Sequence, residues 1–230
     1  MSYKGYVNPQ LLISPEELRA RLSDPAICIV DVRPTHEYAA GHIPGALHCD
    51  LYISLNNTGR EAFEAFMWTL SYLLGSRGVD PDKTIVFYEN ATGMFAARGF
   101  WVCEYFGRRD ARVLDGGLRA WQEAGGPVTT ECAAPQRKEF RGTPVPERHI
   151  GADELRGLLG REDVSVIDAR SDDEYYGRVA RAARGGAIPG AIHIEWTRHL
   201  DAKGAFRPAD EVRALYEQAG VAPEQKIACY

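Results

Sequence analysis

The segment ICIVDVRPTHEYAAGHIPGALH, which covers Ile27–His48, occurs a second time with changes as VSVIDARSDDEYYGRVARAARGGAIPGAIH over Val164–His193. Each copy has an apolar run, then Asp, an apolar residue, Arg, a Glu-Tyr pair, Ile-Pro-Gly-Ala, an apolar residue and His. From the Asp to the Ile of Ile-Pro-Gly-Ala there are 12 positions in the first copy and 20 in the second, which therefore carries eight additional residues. This self-similarity indicates an internal repeat of one domain.

A second pair of matching segments lies further along each copy. GVDPDKTIVFY (Gly78–Tyr88) and GVAPEQKIACY (Gly220–Tyr230) align over 11 positions without a gap, and a helical pattern precedes each of them. Two tandem copies of one domain account for both pairs. We predict a first domain over residues 1–129, a linker rich in Pro and charge over 130–146, and a second domain over 147–230.

Short apolar runs without polar alternation predict the strands of both copies. They are CIVDV, TIVFY, ARVLDGG, SVIDA and KIACY. Such runs are typical of strands buried on both faces of a parallel sheet. They alternate with helical patterns, among them MFAARGFWVCEYFG, which we expect to end at Gly107. The predicted fold class is α/β, with two tandem domains that each contain a parallel sheet flanked by helices, and with TIVFY and KIACY central in their sheets.

The composition is that of an ordinary globular protein. The hydrophobic fraction is 45%, the charged fraction is 26% and the net charge is −5, which argues against a nucleic-acid partner. The apolar runs are far shorter than the ~20 residues that span a membrane. The first 14 residues lack the basic start and apolar core of a signal peptide, which favours the cytoplasm.

The five cysteines are widely spaced and form no Cys-x-x-Cys pattern. A disulfide framework and a zinc site are both unfavoured, and we expect neither a metal nor a cofactor. Cys28, Cys49 and Cys103 are expected to be reduced thiols packed as small hydrophobic side chains. Cys132 lies in the predicted linker.

The two copies resemble rhodanese-like domains, whose signature is Asp-x-Arg, Glu-Tyr and Gly-His-Ile-Pro-Gly-Ala. VLDGGLRAWQEAGGPV resembles the last strand and helix of such a domain, and the tandem arrangement is similar to that of thiosulfate and 3-mercaptopyruvate sulfurtransferases. The resemblance implies a silent first domain and a nucleophilic Cys directly after the strand that matches TIVFY and KIACY. Ala187 departs from the signature His, which we expect to be a structural turn residue.

The position of the expected nucleophile differs between the copies. Glu89 follows Tyr88 in the first copy, and the matching position of the second copy would follow Tyr230, where the sequence ends. The first copy continues for roughly 40 residues beyond Tyr88. We therefore expect the sequence to be truncated, no catalytic residue to lie within residues 1–230, and this chain alone to be inactive. Cys229 matches Phe87 and is expected to be a core thiol.

The resemblance also implies a chemistry. A thiolate attacks the outer sulfur of thiosulfate, sulfite leaves, and the Cys persulfide passes its sulfur to cyanide or a thiol. Arg170 matches the substrate-contacting arginine of the active domain, with a structural ion pair to Glu174 as its alternative. Arg178 is the second candidate, and it belongs either to an anion-attracting rim or to a solvated loop. Arg181 and Arg184 follow it at intervals of three, so the three arginines would share one face of a helical turn. For Arg181 and Arg184 a solvated loop is favoured.

Structural roles are expected for the remaining motif residues: Asp31, Arg33, Glu37, His42, Asp168 and Glu174. The two aspartates end their strands and should accept hydrogen bonds from adjacent backbone N–H groups.

Two other classes of function stay open. One is a noncatalytic rhodanese-like binding or regulatory module. The other is a phosphatase or arsenate reductase, since related folds place a cysteine loop at the same position. The donor, thiosulfate or 3-mercaptopyruvate, is not decided by these residues.

Overall fold

The computed structural model describes residues 2–51, 59–132 and 134–230, and the chain divides into two compact units. The first unit comprises Asn8–His149 and Ala202–Phe206. The second unit comprises Met1–Val7, Ile150–Asp201 and Arg207–Tyr230. The domain boundaries predicted from the repeat do not assign Met1–Val7 to the second unit or Ala202–Phe206 to the first. These boundaries stay a prediction.

The first unit is built on a five-stranded parallel sheet. Its elements in chain order are β1 (Leu12–Ile13), α1 (Pro15–Ala20), β2 (Ile27–Asp31), α2 (Thr35–Ala40), β3 (Leu47–His48), α3 (Arg60–Ser76), β4 (Thr84–Tyr88), α4 (Met94–Tyr105), β5 (Ala111–Leu114) and α5 (Gly117–Glu123). The strand order is β1-β5-β4-β2-β3, and every pairing is parallel. The central place predicted for TIVFY is therefore confirmed, because β4 is the middle strand.

Helices cover both faces of this sheet, as the buried apolar strands require. On one face, α3 and α4 pack over the side chains of Cys28, Val30 and Phe87. The other face carries the buried Leu18 of α1 and Trp121 of α5. Burial of both faces is what made these strands visible as continuous apolar runs.

The second unit repeats part of this arrangement. Its elements are α6 (Ala152–Leu158), β6 (Val164–Asp168), α7 (Asp172–Tyr175), β7 (Ile192–His193), α8 (Ala209–Gln218) and β8 (Lys226–Cys229). The parallel sheet has the order β7-β6-β8. A small core of Ile167, Ile194 and Val221 lies under α8. The predicted α/β class with parallel sheets is confirmed.

Two predictions about KIACY are wrong. β8 is an edge strand of the described sheet, so KIACY is not central. Cys229 is exposed rather than buried in the core. The physical reason lies in its neighbours: the matching Phe87 packs against Gly99 of α4, whereas no described helix follows β8. By contrast, Cys28, Cys49 and Cys103 are buried free thiols, as predicted.

The predicted linker has an extended backbone that packs on the first unit. The backbone N–H of Lys138 donates to the carbonyl of Gly75 at 2.9 Å, and that of Val145 donates to Tyr105 at 2.7 Å. Phe140 is buried at 4% exposure. Cys132 is exposed.

Candidate functional site

The carboxyl end of β6 carries the Asp-x-Arg motif of the second unit. Asp168 is fully buried, and its Oδ1 accepts the backbone N–H of Arg170 at 3.0 Å, as predicted for the aspartate that ends the strand. The guanidinium of Arg170 donates to Asp168 Oδ2 at 2.6 Å and to the carbonyl of Gly186 at 2.9 Å. Its side chain is 30% exposed. A charged donor is thus held in place and still open to solvent.

Tyr230 lies against one side of the Asp168–Arg170 pair. Its hydroxyl accepts the backbone N–H of Ile188 at 2.8 Å, and the guanidinium of Arg170 lies 5.0 Å from its ring centroid. Burial acts to raise the pKa of Asp168, but hydrogen bonds from Arg170 and Tyr230 outweigh it and the pKa is lowered. Asp168 therefore stays ionised and keeps Arg170 oriented.

The first unit has the same contacts, but its arginine is buried. Arg33 donates to Asp31 and to the carbonyl of Gly41 at 2.7 Å, and it also donates to Asn90 Oδ1 at 3.2 Å. Asp31 Oδ1 accepts the backbone N–H of Arg33 at 2.9 Å. The Arg33 side chain is only 5% exposed. The geometry suits a structural ion pair, with little of the guanidinium left for a ligand.

Glu174 is not the partner of Arg170. It forms a capping box with Ser171 at the start of α7, and its Oε1 accepts Arg181 Nε at 2.8 Å. The predicted alternative of an Arg170–Glu174 pair is therefore wrong, because Asp168 occupies the guanidinium. Glu37, at the matching position of the first unit, accepts the side-chain amide of Asn90 at 2.6 Å.

The inserted arginines do not share a helical turn. Residues 177–186 are irregular, and Gly177 and Gly186 approach closely at the base of the segment. Arg178 Nε pairs with Asp173 Oδ1 at 2.6 Å, and its guanidinium lies 5.3 Å from the ring of Tyr176. The prediction of a common helical face is wrong because carboxylates of α7 attract Arg178 and Arg181 individually.

The signature histidine of the first copy has a structural environment. His42 is buried, its Nδ1 lies 2.8 Å from the carbonyl of Tyr38, and its ring stacks on Tyr38 at 3.8 Å. Its Nε2 lies 3.1 Å from the carbonyl of Glu131. These contacts fit a turn residue, and Ala187 at the matching position leaves the second unit without them.

Glu89 lies at the position that the nucleophile would take in the first unit. Its Oε1 accepts the backbone N–H groups of Phe95 at 2.9 Å and Ala96 at 3.0 Å, in the first turn of α4. A Cβ on Gly93 would lie 2.8 Å from the Glu89 carboxylate, so glycine leaves room for it. Burial raises the pKa of Glu89, against the effect of the two amides. A carboxylate thus fills the loop of this domain.

Several contact residues were not singled out from the sequence. Tyr88 and Tyr230 occupy equivalent positions, since Tyr88 accepts the N–H of Ile43 at 3.1 Å as Tyr230 does that of Ile188. Their shared place at the end of the aligned segments could have revealed this role. Asn90 carried no comparable signal, because the second copy has no described residue to match it.

Among residues 2–51, 59–132 and 134–230, no cluster of three or more His, Cys, Asp or Glu side chains is placed to hold a metal ion. No helix in these ranges is long and apolar enough to cross a membrane.

Comparison with known proteins supports the class that this geometry indicates. The model of the rhodanese-like domain matches residues 14–124 and 151–230. The thiosulfate sulfurtransferase of Azotobacter vinelandii is 34% identical over 221 residues, which are 96% of this chain and 82% of that protein. The sulfur carrier protein TtuD of Thermus thermophilus is 31% identical over 98% of this chain and 84% of its own length.

A solved structure supports the same class as these two relatives. SseA from Escherichia coli, described as a 3-mercaptopyruvate sulfotransferase with the rhodanese fold, superposes with a TM-score of 0.79 at 26% identity. The match covers 95% of this chain and 87% of that one. The fold and these relatives define a tandem sulfurtransferase. The chain belongs to the rhodanese-like family.

Proposed function

We propose that the protein transfers sulfane sulfur from thiosulfate to cyanide or a thiol through a persulfide. The nucleophile is a cysteine at the position after Tyr230, where the repeat places the counterpart of Glu89. Its thiolate attacks the outer sulfur, the S–S bond of thiosulfate breaks, and sulfite leaves with the electron pair. The acceptor then takes the outer sulfur and restores the thiolate. Neither cofactor nor metal enters this scheme, and we propose that it operates in the cytoplasm.

The observation that carries the proposal is the placement of Arg170 at the carboxyl end of β6. Asp168 and the carbonyl of Gly186 orient its guanidinium, whereas in the first unit the carboxylate of Glu89 fills the loop where a nucleophile would lie. Thiosulfate is a dianion, and an oriented, accessible guanidinium is a suitable donor for it. The second unit is therefore the proposed active domain, and the first is the silent one.

Arg178 is proposed as a second contact to the donor. It is 60% exposed and paired with an exposed Asp173. Such pairs contribute only about 0–1 kcal/mol, so an anion can displace Asp173 at little cost. We expect Arg178→Ala to raise KM less than Arg170→Ala does.

Thiocyanate formation from thiosulfate and cyanide tests the proposal. The chain of residues 1–230 should give no enzyme-like rate, and a longer protein with cysteine after Tyr230 should be active. Activity of residues 1–230 would mean that one of their own side chains is the nucleophile, with the exposed Cys229 first to be replaced by Ser.

A second donor is supported by the solved relative, whose description names 3-mercaptopyruvate. Here the enolate of pyruvate leaves in place of sulfite and takes up a proton. The ratio of kcat/KM for thiosulfate and 3-mercaptopyruvate in the active protein decides between the donors.

A further inference from the structure

The backbone of Arg170 is fixed at both of its polar groups. Its N–H donates to Asp168 Oδ1 at 3.0 Å, and its carbonyl lies 3.0 Å from the Nε2 of His193. β7 pairs with β6 so that His193 stands opposite Asp168. Because the carbonyl can only accept, Nε2 must carry a proton in this contact.

The other ring nitrogen of His193 also faces an acceptor. Nδ1 lies 3.5 Å from Asp172 Oδ1 in the first turn of α7. Asp172 is exposed, and its carboxylate lies beside the ring nitrogen that does not face Arg170. The ring of Tyr175 stacks on His193 at 4.3 Å with an interplanar angle of 8°, which fixes its plane.

The first unit has the histidine but not the acid. His48 Nε2 lies 2.8 Å from the carbonyl of Arg33, the same contact as in the second unit. The residue two positions after the arginine is Thr35 there and Asp172 in the second copy. Of the two copies, the second alone has a carboxylate at this position.

We propose that His193 is a positioning residue for Arg170, and that its Nε2 N–H keeps the backbone of Arg170 in the place that donor binding requires. The inference rests on the proposed function, since it assumes that Arg170 contacts the donor. The hydrogen bond from Nε2 to the carbonyl of Arg170 keeps this backbone in place, and the stacked ring of Tyr175 holds the imidazole in the plane of that contact.

Side chains of α7 and of the end of β6 surround His193. From α7 it faces Asp172, Tyr175 and Tyr176, whose ring lies edge-on at 6.2 Å. From the end of β6 it faces Arg170 and, through the strand pairing, Asp168. These contacts hold the imidazole between the two elements.

The test is KM for thiosulfate in the active protein, measured together with kcat. His193→Phe keeps an aromatic ring on Tyr175 but has no donor, and we expect it to raise KM roughly three- to tenfold with kcat unchanged. His193→Gln can still donate to the Arg170 carbonyl, and it should return KM toward the wild-type value.

One further variant serves as the matched control. His48→Phe, the corresponding change in the first unit, should leave KM as in wild type. Thermal melts of all variants show whether each is folded at the assay temperature.

The outcomes distinguish this inference from the proposed function. If Arg170→Ala leaves KM intact, the donor is not held by Arg170 and the proposed function fails at that point. If Arg170→Ala raises KM while His193→Phe does not, or if His48→Phe has the same effect as His193→Phe, the positioning role is overturned. If His193→Gln leaves KM as high as in His193→Phe, the role of the donated hydrogen bond is overturned.

Discussion

Arg33 and Arg170 occupy matched positions, but we expect Arg33 to matter mainly for stability and Arg170 mainly for activity. Arg33 is 5% exposed and pairs with a fully buried Asp31. Arg33→Ala should lower the free energy of unfolding by about 3–5 kcal/mol, because it leaves an uncompensated buried carboxylate. Denaturant unfolding measures this loss, and Asp31→Asn combined with Arg33→Ala should recover part of it. An unchanged stability of Arg33→Ala would show that water replaces the guanidinium.

Arg170→Ala should affect turnover more than Arg33→Ala does. Loss of a charge-assisted contact to the donor reduces kcat/KM roughly ten- to a hundredfold. Steady-state kinetics with thiosulfate measures it, with Arg33→Ala as the matched control in the silent unit. A reduced melting temperature with intact kcat/KM would make the pair with Asp168 the whole role of Arg170.

The acid limb of the stability curve reports on the same pair. The pKa of Asp168 is lowered in the folded state, because the hydrogen bonds from Arg170 and Tyr230 outweigh burial. Its stabilising contribution is thus present above the unfolded carboxyl pKa and is lost as pH falls through the lower folded value. In Arg170→Ala the folded pKa should rise, so unfolding on acidification should begin at higher pH. Melting temperatures between about pH 2 and 5 follow this shift.

At the scale of the element, the start of α4 depends on one side chain. Glu89 accepts two backbone N–H groups there, and burial raises its pKa. Since the folded state binds this proton more readily than the unfolded chain, Glu89 makes stability rise as pH falls through the folded pKa. Glu89→Gln keeps an oxygen acceptor and removes the charge, so it should match or exceed wild type at pH 7 and lose this pH dependence.

Glu89→Ala is the matched change that removes both hydrogen bonds. It should lower the free energy of unfolding by about 1–2 kcal/mol, the usual range for a lost helix cap. Urea unfolding of the two variants at pH 7 gives the comparison. If Glu89→Gln and Glu89→Ala are equally destabilised, the charge of Glu89 rather than its accepted hydrogen bonds stabilises the first turn of α4.

Elements were predictable where local pattern alone decides them. Thr84–Tyr88 is a strand as the apolar run TIVFY predicted, and α3 buries Phe63, Met67, Leu70 and Leu74 at helical spacing. Partner choice was not predictable. Arg181 binds Glu174, seven positions before it, and His193 meets Asp172 only because β7 lies beside β6. Such contacts depend on tertiary placement, which neither periodicity nor spacing contains.

At the scale of the whole molecule, each compact unit includes a short segment from the other end of the sequence. Ala202–Phe206 belongs to the first unit, where the N–H of Phe206 donates to the buried Asp115 Oδ1 at 2.7 Å. The carbonyl of Gly204 accepts the N–H of Thr92 at 2.9 Å, in the loop after β4. In the second unit, the hydroxyl of Tyr6 donates to the carbonyl of Arg207 at 2.7 Å.

The placement of residues 202–206 in the first unit predicts that they protect the loop after β4 from hydrogen exchange, although they lie more than 100 positions away in the sequence. Asp115→Ala removes the acceptor of the Phe206 N–H, which loosens 202–206 and with it the bond from Thr92 to Gly204. We expect a loss of about 1–3 kcal/mol in unfolding free energy and faster hydrogen exchange at the Thr92 amide. Tyr6→Phe is the control: it should speed exchange within residues 2–7 and leave Thr92 unchanged. Equal exchange at Thr92 in wild type and Asp115→Ala would mean that the loop is held by its own contacts to Gly116 and not by the exchanged segment.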